Sequence, residues 1–173
     1  MTYSKLKNLF EEQSLLNDIN GILNWDMATY MPEKSRNQRV RQIEKILDYK
    51  KNIFDQIKKN ELFKKANDSK LSLEDKLNLN LMKDKFEYFD IVPYEYIKKK
   101  TSLAIMCEGE WRKAKIKSNF NLVKKSFKKL VDVIKIESEI LSQKKDKTKF
   151  DCLLSKYDRS LTSSRITKIF YRI

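Results

Sequence analysis

Apolar positions recur at helical spacing almost from the start of the chain. Leu6, Leu9, Phe10, Leu16, Ile19, Ile22 and Leu23, with Gln13 among them, mark one face of a helix over Tyr3 to Trp25, since residues three and four apart fall on one side of a 3.6-residue turn. Gly21 lies inside that pattern; it costs about 1 kcal/mol relative to alanine, and its missing side chain suits the close approach of a neighbour. Pro32 then pushes Met31 out of α geometry and opens a second helix at Glu33 or Lys34, because proline fits a first helical turn and restricts the residue before it. That helix runs to about Lys59 on Val40, Ile43, Ile46, Leu47, Ile53, Phe54 and Ile57.

Residues 60–71 read as short helix or loop. Ser72 stands three residues before Asp75, a weak capping box that starts a helix reaching about Phe89. Pro93 begins the next, carried by Ile97, Thr101, Ala104, Ile105, Glu108 and Trp111 to about Lys117. Asn119 is the predicted N-cap of a helix to about Gln143 on Phe120, Val123, Phe127, Leu130, Val131, Ile134 and Leu141. A short element over Phe150 to Tyr157 follows, and Thr162 or Ser163 caps a last helix bearing Ile166, Ile169, Phe170 and Ile173. That pattern stops at the last residue without a glycine cap or polar tail, so the chain reads as cut off. The expected fold is all-α, with six or seven mostly antiparallel helices in one helical region over residues 1–173.

Composition agrees with helices. Two glycines and two prolines in 173 residues leave little turn chemistry for hairpins. No apolar run approaches the roughly 20 residues of a membrane span, and residues 1–13 hold no continuous apolar signal core. A cytoplasmic protein without membrane contact is expected. Cys107 and Cys152 form no C-x-x-C pair and are read as reduced and buried. The net charge of +14 invites a nucleic-acid reading. The lysines, however, are scattered as doublets such as Lys58-Lys59 and Lys128-Lys129 with acids between them, which argues for a solvated surface.

The candidate chemistry is defined first by what is missing. There is no histidine, so neither a two-imidazole zinc site nor a Ser-His-Asp or Cys-His system can be assembled. Gly21 and Gly109 lie far apart in helical patterns, so there is no phosphate loop. Glu108 and Glu110, two apart on a helix, point in different directions and form no acid–base couple. Trp25 and Trp111 are read as core residues. Asp26 and Arg39 are read as an ion pair fixing the Met31-Pro32 turn, against the alternative of two solvated charges.

Ile22-Leu23-Asn24-Trp25-Asp26, then Thr29-Tyr30-Met31-Pro32, Arg39 and Gln42, resemble the N-terminal signature of the carboxypeptidase Taq family of metallocarboxypeptidases. Trp111-Arg112-Lys113-Ala114-Lys115 with Asn119-Phe120 is similar to its W-x-x-A-[RK] helix. Phe150-Asp151-Cys152-Leu153-Leu154, Tyr157-Asp158 and Thr162 are similar to its Y-D-x-L-L-D-x-Y-E-P-G-x-T stretch, with Asp158-Arg159-Ser160 in place of the usual turn and Ser155 where the family has aspartate. The resemblance marks Trp25, Asp26, Met31, Pro32, Arg39, Trp111 and Tyr157 as structural signature positions, with no catalytic or metal-binding residue among them. It implies the N-terminal part of a cleft-shaped helical zinc peptidase that removes C-terminal amino acids and is typically homodimeric. The H-E-x-x-H motif lies in a later segment of such enzymes. The chain is therefore expected to be inactive alone and without a cofactor, zinc or another divalent metal belonging to the complete enzyme. Its partner would be a separately encoded C-terminal catalytic segment, and peptide would bind only the complete enzyme. The competing readings are an independent helical interaction protein and a basic nucleic-acid binder.

Overall fold

The computed structural model describes residues 2–66 and 70–171. Eight α-helices occupy them, with one short 3-10 turn and no strand among the described residues: α1 Thr2–Thr29, the 3-10 turn Glu33–Ser35, α2 Arg36–Lys59, α3 Leu62–Lys65, α4 Leu73–Ile91, α5 Tyr94–Ile116, α6 Asn121–Lys145, α7 Lys149–Leu154 and α8 Ser163–Phe170. The all-α expectation holds. The count exceeds six or seven because α3 is a single turn inside a stretch read as helix or loop.

Side-chain caps set several starts. Ser72 Oγ accepts from the Asp75 N–H at 3.1 Å, Thr148 Oγ1 from Asp151 at 3.0 Å and Thr162 Oγ1 from Arg165 at 3.2 Å, each satisfying a donor that the first helical turn leaves without a partner. Asn119 binds the Asn121 N–H at 3.1 Å but stands one residue before the N-cap position, held by Phe120. Among the described residues the left-handed turns fall on Glu61, Ser118 and Asp146, none of them glycine.

Cross-helix bonds give the topology. Asp26 meets Arg39 and Gln13 meets Lys50, which sets α1 antiparallel to α2. Arg36 meets Glu108, Glu44 meets Ser102 and Asp48 meets Tyr94, so α2 and α5 are antiparallel too. Lys100 reaches Glu137 while Ala114 packs with Val123 at the other end of the α5–α6 pair. The main core joins Leu6, Leu9, Ile53, Phe54, Ile57, Leu62 and Leu79, with the rings of Phe10, Phe63, Phe86 and Phe89 around it. A second, at Leu47, Val92, Ile97, Leu141 and Cys152, seats α7 on α6. Both cysteines are buried and free. No helix among the described residues is long and apolar enough to cross a membrane.

One expectation, a neighbour close to Gly21, needs correction, and two apolar stripes are only partly covered. The apolar stripe of α1 is not buried throughout: Leu6 and Leu9 are, whereas Ile19 and Ile22 face solvent. Gly21 meets nothing within 4 Å of an added Cβ, so no neighbour approaches it. On α8, Ile166 is half-buried and Ile169 and Phe170 are exposed, while Ile173 lies outside the described residues. The physical reason is common to all three. Periodicity tells which residues share a face, and says nothing about whether another helix covers it.

Candidate functional site

Two polar centres stand out. In the first, a clasp of cations ties the end of α1 and the start of α2 to α5. Arg39 pairs with the Asp26 carboxylate, donates from Nη1 to the Leu23 carbonyl and from Nε to Gln42 Oε1 at 2.9 Å. Arg36 donates from Nη1 to the Ile105 carbonyl at 3.0 Å and to Glu108 at 2.7 Å. Glu108 also takes Arg112 Nε, and Arg112 Nη1 reaches the Ala28 carbonyl at 3.1 Å. The last turn of α1 has no basic residue of its own, so Arg112 supplies across space the cation that a helix C-terminus favours. Lys113 pairs with Glu33. Gly109 makes room for this clasp: a Cβ there would stand 2.3–2.7 Å from the Arg36 side chain.

Of the sequence-marked residues, the clasp unites Asp26 and Arg39 as read, with the half-buried Met31 and exposed Pro32 leading from α1 into α2. Trp25 and Trp111 are corrected: they are 59% and 49% exposed, not core. Trp25 lies about 100° round the helix from Asp26, and its ring meets that of Tyr30 with centroids 5.6 Å apart. Trp111 carries the Lys115 ammonium 5.3 Å from its ring centroid. Tyr157, 91% exposed, stands on the turn after α7 and takes no part in the clasp.

The second centre is the wall of a cavity of about 1010 Å3 lined from α1, α2, α4, α5, α6 and α7. Glu137 lies just beneath, 1% exposed. Its carboxylate accepts from Tyr88 Oη at 2.8 Å and Lys100 Nζ at 2.7 Å, and pairs with Lys156. Burial raises the carboxyl pKa, but the hydrogen bonds from Lys100 and Lys156 outweigh it and hold the group below its usual 4.5. Burial, then the charge of Glu137, pushes the Tyr88 hydroxyl far up, keeping it a neutral donor. Burial lowers Lys100, against the pull of Glu137. Lys50, only 7% exposed, also lines the cavity; it donates to the neutral Asn17 Oδ1, and burial alone lowers its pKa.

Neither centre holds a nucleophile activated by a base, and among the described residues no group of three or more His, Cys, Asp or Glu side chains is placed to hold a metal ion. A family model described as carboxypeptidase Taq (M32) metallopeptidase matches residues 5–173. The chain belongs to this family. Solved structures agree in fold: BsuCP superposes at a TM-score of 0.89 with 21% identity over 99% of this chain, and Trypanosoma cruzi metallocarboxypeptidase 1 at 0.80 with 21% identity over 99%. The chain spans 34% of the length of each. No curated protein matches the sequence. Within the carboxypeptidase Taq family this chain corresponds to a helical part of about a third of the solved relatives.

Sequence reasoning missed the second centre. Its signal was legible in the helical registers, where Gln13, Lys50 and Glu137 occupy positions that the apolar spacing of α1, α2 and α6 assigns to the core. A polar residue at a core register needs a hydrogen-bond partner, and all three have one.

Proposed function

We propose that these 173 residues are the N-terminal helical portion of a metal-dependent carboxypeptidase, packing against a catalytic segment and walling its substrate cleft. The observation that carries this is the family match over residues 5–173 in a chain that has no histidine. A catalytic zinc of the H-E-x-x-H kind takes two imidazoles from one helix face and an open position for water. The residues present do not fit that ion, so its ligands come from sequence outside these residues, in the same polypeptide or a separate one. The uncovered stretch of Ile19, Ile22, Trp25 and Tyr30 at the end of α1 supports the reading, because contiguous exposed apolar surface marks a place where something docks. The residues of the clasp then have a structural role: they set the angle at which that surface is presented. The chain by itself is inactive toward peptides, and homodimers and peptide binding belong to the complete enzyme. Two buried, unbridged thiols suit a reducing, cytoplasmic setting.

The test is metal analysis with a peptidase assay. The purified chain dialysed against zinc or cobalt is expected to retain no stoichiometric ion and to release no C-terminal amino acid from peptides. Co-expression with a family segment bearing H-E-x-x-H is expected to give a soluble complex holding one metal, lost when the histidines of that segment are replaced. One tightly bound ion per isolated chain, or release of amino acids by it, overturns the reading.

A further inference from the structure

The cavity beside Glu137 has a charge balance that its own structure does not close. Lys100 and Lys156 are neutralised by Glu137, Lys145 by Glu87 and Arg159 by Asp84. Lys50, Lys85, Lys144 and Lys147 also line it, and none of the four makes an ion pair among the described residues. Lys144 and Lys147 stand at the exposed rim, where water serves an ammonium well. Lys50 does not have that option. It is more than nine-tenths buried, its one side-chain partner is the neutral amide of Asn17, and its main-chain carbonyl is held by Gln13 at 2.8 Å, which fixes the residue in place. An ammonium withdrawn from water beside a cavity, with no anion of its own, is an incomplete ion pair.

We propose that this cavity binds a compact, multiply charged phosphoryl anion, with Lys50 at the floor and Lys144 and Lys147 at the rim. A phosphoryl group carries close to two negative charges and several acceptor oxygens, so one small ligand answers several ammonium groups at once. Lysine binds phosphate as a point charge, and several ammonium groups can converge on one phosphoryl group. The arginine on this wall, Arg159, is already engaged by Asp84. The volume suits a ligand of small-molecule size. Phe10, Phe54 and Phe89 also border the cavity, an apolar surface on which the organic part of a phosphorylated compound can rest. The assignment stands on these residues alone and does not depend on the carboxypeptidase reading.

Calorimetric titration of the full chain with sodium tripolyphosphate at physiological salt tests it, with ATP as a second arm. One saturable site per chain is expected. Equal affinities place recognition in the phosphoryl groups, and tighter ATP binding adds a contribution from the phenylalanine surface. Replacing both rim lysines, Lys144→Ala with Lys147→Ala, breaks no ion pair and is expected to weaken binding about tenfold. Lys50→Met, which keeps the buried stem, is expected to do the same while the circular dichroism stays native. Lys128→Ala with Lys129→Ala, an exposed doublet of equal charge on α6 away from the cavity, is expected to change affinity by less than about twofold. Absence of a saturable site overturns the proposal. So does a loss in the control doublet equal to that of the rim variant, wild-type binding by Lys50→Met, or a hexaglutamate peptide binding as tightly as tripolyphosphate.

Discussion

The clasp and the cavity wall use cations in opposite ways. At the clasp, Arg36, Arg39 and Arg112 each reach a main-chain carbonyl as well as a carboxylate or amide side chain. A planar guanidinium offers several donors in a fixed fork, so one side chain locks the backbone of one helix to another. At the wall all the cations but Arg159 are lysines, and Glu137 absorbs only two of them. The lesson is that charge spent on backbone carbonyls fixes geometry, whereas point charges around a cavity leave a field that a ligand can answer.

The largest effect is expected on the wall. Glu137→Ala strands Lys100, Lys156 and the Tyr88 hydroxyl around a buried void, and removing one partner of a buried ion pair costs about 3–5 kcal/mol. Urea unfolding followed by circular dichroism measures it. A loss as small as that of an exposed ion pair would mean that water already enters the centre.

Arg39→Ala comes next, because it removes the link from α2 to Asp26 and the Leu23 carbonyl, and with it the bond to Gln42 within α2. The expected loss is about 1–3 kcal/mol, that of hydrogen bonds to a charged group, moderated because Asp26 keeps access to water. Arg39→Lys should recover little of it, since an ammonium cannot reproduce the fork. Full recovery would make the clasp a matter of charge and erase its contrast with the wall.

Acid should discriminate further between the two centres. The folded pKa of Glu137 lies below 4.5, so folding favours its ionised form. That contribution is present above pH 4.5 and is lost as pH falls through the folded value. Stability measured by urea midpoints should therefore decline below pH 4.5, and the decline should be shallower in Glu137→Gln, which has no carboxyl to titrate. Parallel curves for the two proteins would assign acid sensitivity elsewhere.

The smallest test compares the two glycines. Gly21→Ala, in open space, should gain about 0.5–1 kcal/mol from helix propensity. Gly109→Ala should lose stability instead, because its Cβ would displace Arg36 from Ile105 and Glu108. Equal thermal shifts in the two variants would show that Arg36 moves aside freely and that the clasp is loose at that point.

The helices themselves were written locally. Ser72 and Thr162 cap where the sequence places them, Pro32 and Pro93 stand immediately before helical turns, and the all-α class follows from stripes of period 3.6. The pair Asp26–Arg39 was legible through its place in a family signature, and bare spacing would not have distinguished it from two solvated charges. The polar residues at core registers were visible as anomalies, but their partners were not. Lys50 finds Asn17 and Gln13 across the α1–α2 interface, and Glu137 gathers residues from α4, α5 and the turn after α7.

By itself, then, the amino-acid order determined to within about a turn where the helices start and stop, that they are amphipathic, and that no histidine chemistry resides in these residues, because capping, periodicity and composition act within a few turns of chain. Only the tertiary structure decided which stripes are covered and which charges are paired. It buried Leu6 and left Ile22 and Trp25 of the same helix in solvent. It neutralised Lys100 and left Lys50 without an anion among the described residues. Burial and ion pairing depend on the helix that lies across a face, and residues far apart in sequence meet there only once the chain has packed.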